Sequence, residues 1–190
     1  MSTATPALMT VEDLDALPDD DGVDRELIRG ELRERERPMT RRNRFHTVVE
    51  ANTAFHLKHW QRQAGQQGAV ASGEVGCIMR RDPDTSFGID VAYFSQEVVE
   101  QQSDDTQMFE GAPVLAVEIL SPSDKHVEVC EKVREYLDCG VSVVWVIDPD
   151  FRTVQVHRRG DPPEMFNQTM LLSGGSDLPG FEVPVVELFE

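Results

Sequence analysis

The chain has 190 residues, of which 39% are hydrophobic and 28% are charged, a composition that fits one globular domain and excludes a disordered or collagen-like chain. Its formal charge of −17 argues against a protein that coats DNA through a basic surface, although it is compatible with a metal-dependent phosphodiesterase because cation-binding carboxylates are acidic. No apolar run reaches the roughly 20 residues of a membrane-spanning helix, and the first eight residues lack a leader pattern, so we expect a cytoplasmic protein.

The first part of the chain predicts a loose terminus, a hairpin and a long helix. Residues 1–9 are expected to be flexible, and residues 10–190 to form a single domain. Thr10 is a suitable N-cap for a short helix. Two strand-like runs flank Gly30, which supplies the positive φ of a tight turn. Apolar residues recur at three- and four-residue steps over residues 42–63, and this spacing predicts an amphipathic helix.

The rest of the chain alternates strand-like stretches with a second long helix. The stretches are residues 69–81, 89–94, 114–120, 142–147, 153–157, 170–172 and 181–189. Residues 121–124 are of the types that begin a helix, and Gly140 is a suitable residue just past the end of that helix. This order of elements predicts a mixed α/β domain with helices packed against a central sheet.

Two carboxylates lie inside apolar strand patterns. Glu118 interrupts residues 114–120, where burying an ionised carboxylate without a partner is costly. It therefore faces either a polar site or the solvent at a sheet edge. Asp90 repeats the pattern, with a turn or strand-start role as its alternative. Because adjacent strands lie about 4.8 Å apart, the two acids on facing positions would suit a divalent cation.

Several other polar residues are candidates for the same site. Lys132 lies on the helix after the Glu118 strand, shares a polar helical side with Lys125, and can reach back over the strand end. His46 and Glu50 are one helical turn apart and can approach the same cleft as Glu31 from the hairpin. The alternative for each of these residues is a solvated, capping or ion-paired position.

Eight arginines fall within twenty positions of an otherwise acidic chain: Arg25, Arg29, Arg33, Arg35, Arg37, Arg41, Arg42 and Arg44. This arginine cluster either contacts a phosphate backbone or pairs with the many carboxylates.

Six ordered segments carry a resemblance to a known family. They are Glu26-Leu-Ile-Arg-Gly-Glu, Gly73-Glu-Val-Gly, Ile89-Asp-Val-Ala-Tyr, Val117-Glu-Ile-Leu-Ser-Pro-Ser, Glu131-Lys-x-x-x-Tyr136 with Gly140-Val, and Val144-Trp-Val-Ile-Asp-Pro. Together they resemble the Uma-type family of bacterial restriction endonucleases over about residues 10–190. The resemblance implies the fold of the PD-(D/E)XK nuclease superfamily, in which a central mixed sheet is flanked by helices and metal-binding acids work with a lysine.

The resemblance also implies roles for individual residues. Asp90 matches the first acid and Glu118 the second, and both are expected to hold Mg²⁺ or Mn²⁺ together with the backbone carbonyl of Ile119. Lys132 matches the family lysine and would add positive charge beside the scissile phosphate. The implied reaction is metal-assisted hydrolysis of phosphodiester bonds, with DNA as the expected substrate.

The match has two departures and two weaker members. Ile89 stands where a proline usually precedes the first acid, and Leu120 stands where the superfamily lysine usually follows the second. Glu74 matches an acidic position of the family and is either a further metal ligand or an arginine partner. Lys125 is a weaker substitute for the lysine.

Three functional hypotheses follow. The first is a metal-dependent endonuclease of restriction-endonuclease type that acts on DNA. The second is a catalytically impaired nuclease fold that serves as a nucleic-acid-binding or assembly module, which the acidity and the two departures favour. The third is hydrolysis of a small phosphorylated compound. By analogy with folds whose two sites address two DNA strands, we expect a homodimer.

Overall fold

The structure, a computed structural model, describes residues 8–18, 22–36, 43–103 and 107–190. Within these ranges the helices are α1 (Val11–Asp15), α2 (Arg44–Gln63), α3 (Gln96–Glu100), α4 (His126–Asp138) and a 3₁₀ helix at Val185–Leu188. The strands are β1 (Val23–Ile28), β2 (Glu31–Glu36), β3 (Ala69–Arg80), β4 (Thr85–Phe94), β5 (Phe109–Glu110), β6 (Leu115–Ile119), β7 (Val143–Asp148), β8 (Thr153–Arg158), β9 (Glu164–Asn167), β10 (Leu171–Ser173) and β11 (Glu182–Pro184). None of the helices found in these ranges is long and apolar enough to cross a membrane.

The strands form one large mixed sheet. Its order is β2-β1-β4-β6-β7-β8-β9, with β3 on the other edge of β4 and β5 on β3. The β6–β7 and β3–β5 pairs are parallel and the remaining pairs are antiparallel. Strands β10 and β11 form a separate small sheet. This architecture confirms the predicted α/β fold with a central mixed sheet.

Helices cover both faces of the sheet. Leu115, Val117 and Ile119 of β6 pack in a cluster with residues of α2 and of the C-terminal segment, whereas Ala116 packs with Val133 and other residues of α4. Successive strand residues point to opposite faces, so Glu118 lies on the α4 face. Burial on both faces explains why residues 114–120 read as an almost continuous apolar run.

The pairing of β4 is interrupted beside Asp90. Along one edge, β4 pairs with β1 at Ser86 and with β6 at residues 91–93, so residues 87–90 lie between two ladders. Along the other edge, the β3 register shifts between Ser72 and Val75, and Glu74 has a positive φ of 56°. The extra β3 residue is a β-bulge that faces Asp90, so the pairing changes beside Asp90 on both edges of β4.

Several local predictions are confirmed. Thr10 caps α1 in a capping box with Asp13. Arg29 and Gly30 both have positive φ and connect β1 to β2 in a two-residue hairpin. Gly140 has φ 103° just past the end of α4. At the N-terminus the Met9 N–H donates to the Gly30 carbonyl, and residues 1–7 lie outside the described ranges.

Other boundaries were predicted wrongly. The α4 helix begins at His126 rather than within residues 121–124, because the Asp124 carboxylate accepts from the Ser121 N–H and from Arg35 instead of capping a helix. Strand β4 begins at Thr85 rather than Ile89, since the turn is tight enough for Arg80 and Thr85 to pair. Residues 181–189 contain the short β11 and the 3₁₀ helix, and β9 was not predicted.

Candidate active site

Asp90 is a buried carboxylate with partners on two elements. Its Oδ2 accepts the Ile119 N–H of β6 at 2.7 Å, and its Oδ1 lies 3.2 Å from His46 Nε2 of α2. Burial alone would raise the Asp90 pKa, but the contacts with His46 and the Ile119 N–H outweigh it and hold that pKa below its ordinary value. Asp90 is therefore ionised at neutral pH.

The start of α2 brings two further side chains to Asp90. The Asn43 side chain caps the helix, and the four-residue spacing of His46 and Glu50 places both on one helical face. His46 Nδ1 lies 3.7 Å from Glu50 Oε2, and one donor atom from each of His46, Glu50 and Asp90 lies within 4.8 Å of the others. An imidazole nitrogen and two carboxylates are a donor set that divalent transition metals accept, so these residues fit a cation.

Lys132 of α4 reaches the interruption in the β4 pairing. Its Nζ donates to the Gly88 carbonyl at 3.0 Å, and it lies 3.0 Å from both Glu118 Oε2 and Glu26 Oε1. Burial disfavours the charge on Lys132, but the two carboxylates outweigh this effect and raise the lysine pKa above its ordinary value. Lys132 thus stays protonated and bonds a β4 carbonyl that lies between the two ladders.

Glu118 is held at both oxygens. In addition to Lys132 at Oε2, its Oε1 accepts the Tyr136 hydroxyl at 2.5 Å. Burial raises the pKa of Glu118 to about 8, against the opposing charge of Lys132. Because β6 is an interior strand of the sheet, the solvent-facing alternative for Glu118 does not apply.

The bulge on β3 brings Glu74 to the same region. Glu74 Oε2 lies 2.7 Å from the point where a Cβ on Gly88 would stand, so the missing side chain of Gly88 leaves room for this carboxylate. Glu50 Oε1 lies 3.9 Å from the corresponding point on Gly73. The bulge therefore gathers Glu50 and Glu74 beside the β4 segment that carries Asp90.

Two predicted members of the site lie in surface ion pairs instead. Glu31, at the start of β2, pairs with Arg33 at 3.2 Å, and both side chains are exposed. The Lys125 side chain is 76% exposed and pairs with Glu128 at 2.7 Å, because α4 begins one residue later and leaves Lys125 at its N-cap. Ile119 enters the site through its N–H, and a role for its carbonyl stays a prediction.

The described part of the arginine cluster is largely paired with carboxylates. The pairs are Arg25–Glu34, Arg29–Glu135, Arg33–Glu31 and Arg35–Asp124, and Arg44 lies over the Phe45 ring. These contacts favour the pairing alternative for the described members. Arg37, Arg41 and Arg42 lie outside the described residues.

Sequence reasoning missed two residues of the site. Glu26 precedes the fully buried Leu27, and this alternation indicates only that Glu26 faces away from Leu27. Glu26 reaches Lys132 because β1 lies beside β4 in the sheet, and local sequence patterns do not show which strands are neighbours. Tyr136, which the sequence offered only as the last residue of a matching segment, is completely buried and donates to Glu118.

Comparisons with known proteins agree with this architecture. The family model described as "Uma2: Putative restriction endonuclease" matches residues 11–186. A solved structure described as "a putative nuclease belonging to DUF820" from Anabaena variabilis is 21% identical, covers 95% of this chain and 97% of its own, and superposes with a TM-score of 0.75. This structural likeness shows a shared fold. No curated protein matches the sequence.

Proposed function

The chain belongs to the family described as "Uma2: Putative restriction endonuclease", and from this membership we propose that it is a metal-dependent endonuclease that hydrolyses phosphodiester bonds in DNA. The observation that supports the proposal most directly is the group of His46, Glu50 and Asp90, whose donor atoms lie within 4.8 Å of one another. The protonated Lys132 also donates to the Gly88 carbonyl, in the same interrupted segment of β4 that carries Asp90.

In the proposed reaction, the residues divide into cation ligands and a charged lysine. Asp90, His46 and Glu50 would hold the cation, and Glu118, Glu74 and the Ile119 carbonyl are further predicted ligands. A divalent cation bound there would supply Lewis acidity for the attack of water on phosphorus. Lys132, which its carboxylate partners keep protonated, stabilises the negative charge that develops on the phosphate oxygens.

Glu118 has a separate part in this arrangement. With Oε1 on Tyr136 and Oε2 on Lys132, it fixes the direction of the ammonium relative to β4. The raised pKa of Glu118 reflects its burial, so a proton competes with any cation for this carboxylate near neutral pH. A proton does not compete with the cation for Asp90 near neutral pH, because the pKa of Asp90 is lowered.

The imidazole in the group predicts a preference among cations. Mg²⁺ favours oxygen ligands, whereas Mn²⁺ binds more tightly to sites that include nitrogen, so we expect Mn²⁺ to bind at least about tenfold more tightly than Mg²⁺. Isothermal titration calorimetry of the purified protein with each ion measures the ratio. His46→Gln should reduce it towards unity, and equal affinities for both ions in the wild type would contradict the assignment of His46 as a ligand.

The proposed activity is tested by cleavage assays in Mn²⁺ and Mg²⁺ with supercoiled plasmid, linear duplex, single-stranded DNA and RNA. We expect plasmid nicking or linearisation that stops when EDTA is added, and the same rate for Glu31→Gln, which changes an exposed carboxylate of the hairpin. Binding without cleavage of any substrate would support the alternative of an impaired nuclease fold that acts as a binding module. Light scattering tests the predicted homodimer.

A further inference from the structure

Every hydrogen of the Lys132 ammonium already has an acceptor. Glu118 Oε2, Glu26 Oε1 and the Gly88 carbonyl each lie 3.0 Å from Nζ, and an ammonium has three hydrogens to donate. The ammonium also lies over two aromatic rings, with Nζ 5.8 Å from the Phe87 centroid and 5.7 Å from that of Tyr136. A phosphate oxygen can therefore bind Lys132 only by replacing one of the three acceptors.

The three acceptors differ in how firmly they are held. The Gly88 carbonyl belongs to the backbone of β4, which is paired with β3 along its other edge. Glu118 lies on an interior strand, has a 15% exposed side chain, and is fixed at its second oxygen by Tyr136. Glu26 lies on β1, and its side chain is the more exposed of the two carboxylates at 28%. Glu26 is therefore the acceptor that an incoming anion can displace.

Glu26 contacts the Lys132 ammonium as a bound anion would, and it carries the same sign of charge as a phosphate. β1 meets β4 at the pair Leu27 and Ser86, two residues before Gly88, so Glu26 approaches Nζ from the β1 side of the interruption. Its partly exposed carboxylate places negative charge 3.0 Å from the ammonium. A phosphate that approaches from that side meets both a competitor for the same hydrogen and a like charge.

We propose that Glu26 is a positioning residue that occupies, in the substrate-free protein, the place on Lys132 that a phosphate oxygen takes. The proposal rests on the proposed nuclease function for the identity of the phosphate. Glu26 keeps the ammonium directed between β1 and β4, and it lowers the affinity for phosphate until the carboxylate is displaced. Substrate binding and release of Glu26 are thus a single exchange at Nζ.

The test compares two variants that each remove one negative charge from the same hairpin. Glu26→Gln weakens the contact with Lys132, and Glu31→Gln changes an exposed partner of Arg33. Fluorescence anisotropy with a labelled 20-base-pair duplex in Ca²⁺ measures affinity without relying on turnover. We expect Glu26→Gln to bind about fivefold to tenfold more tightly than the wild type, and Glu31→Gln to stay within about twofold. Equal effects of the two variants, or weaker binding by Glu26→Gln, would overturn the proposal.

A double-variant cycle shows whether the effect passes through Lys132. In a Lys132→Met background, adding Glu26→Gln should increase the affinity for the duplex much less than it does in the wild type, whereas an undiminished gain would overturn the proposal. Circular dichroism and urea unfolding of each variant identify any loss of fold before affinities are compared.

A measurement without DNA separates this inference from the proposed function. Titration of the protein with inorganic phosphate, followed through the NMR signal of the Lys132 side chain, should saturate at lower phosphate concentration in Glu26→Gln than in Glu31→Gln. If this difference holds while no variant binds the duplex, the proposed DNA substrate is wrong and the role of Glu26 stands. If all variants bind the duplex but the phosphate titrations coincide, the role of Glu26 is wrong and the proposed function stands.

Discussion

Asp90→Asn is expected to abolish tight Mn²⁺ binding and to lower the rate of DNA cleavage by about a thousandfold. Asp90 contributes the negative charge that lies between His46 of α2 and the Ile119 N–H of β6. Asparagine keeps an oxygen that can accept from Ile119, so the change removes the charge while preserving the hydrogen bond that joins β4 to the end of β6. Calorimetry with Mn²⁺ and the plasmid assay measure the two effects.

Asp84→Asn is the matched control for this substitution. Asp84 is also buried, lies in the turn before the same strand, accepts the Val11 N–H at 2.8 Å and pairs with Arg81 at 3.1 Å. Its replacement should lower the free energy of unfolding through the lost ion pair with Arg81, with Mn²⁺ affinity unchanged. Wild-type Mn²⁺ affinity in Asp90→Asn would remove Asp90 from the proposed ligand set.

Lys132→Met is expected to lower the free energy of unfolding by about 3 to 5 kcal/mol at pH 8 and to remove cleavage activity. The substitution leaves Glu26 and Glu118 facing each other in a largely buried position without their shared cation. It also removes the donor to the Gly88 carbonyl. Lys125→Met, which changes an exposed member of a surface pair, should cost at most about 0.5 kcal/mol in the same urea titration.

The loss in Lys132→Met should depend on pH with a defined sign. Burial raises the Glu118 pKa to about 8 from its ordinary value of 4.5, and removing Lys132 takes away the charge that opposes this rise. In both proteins the pKa of Glu118 is higher in the folded state than in the unfolded state, so its contribution to stability is fully present below pH 4.5 and is lost as the pH rises. In the wild type this loss ends near pH 8, whereas in Lys132→Met it continues beyond pH 8 because the Glu118 pKa is higher still. The difference from the wild type should therefore be smallest in acid and largest in mild base.

A second substitution separates the charge from the packing of the lysine stem. Lys132→Met combined with Glu118→Gln should recover much of the lost stability, because the buried charge has gone together with its partner, while cleavage stays absent. A loss that is the same at every pH and is not relieved by Glu118→Gln would assign the effect to packing against Phe87 and Tyr136 instead.

The fold and much of the candidate site follow from local patterns in the sequence. A carboxylate inside an apolar strand signals Asp90 and Glu118 because burying such a group without partners is costly. Helical spacing relates His46 to Glu50, and it directs Lys132 back over the preceding strand. Each of these inferences uses a distance along one element or between one element and the next.

The remaining features depend on which strands are neighbours. Glu26 reaches Lys132 because β1 lies beside β4, although the two strands are separated in the sequence by β2, α2 and β3. The placement of Glu74 depends on a bulge, in which one extra residue in β3 faces Asp90, and an alternating strand pattern does not reveal where such a residue falls. For Lys125 the difficulty was local. The helix was predicted to begin a few residues too early, and because α4 begins at His126, Lys125 lies at the surface.

Along the edge that faces β1 and β6, residues 87–90 of β4 lie outside both ladders, so a continuous ladder and the bond from Lys132 exclude each other at this position. If β1 and β6 closed over residues 87–90, the Gly88 carbonyl would be saturated by backbone and Lys132 would have no reason to point there. A more continuous sheet would thus be more regular, but it would remove the point at which α4 bonds directly to the backbone of a central strand.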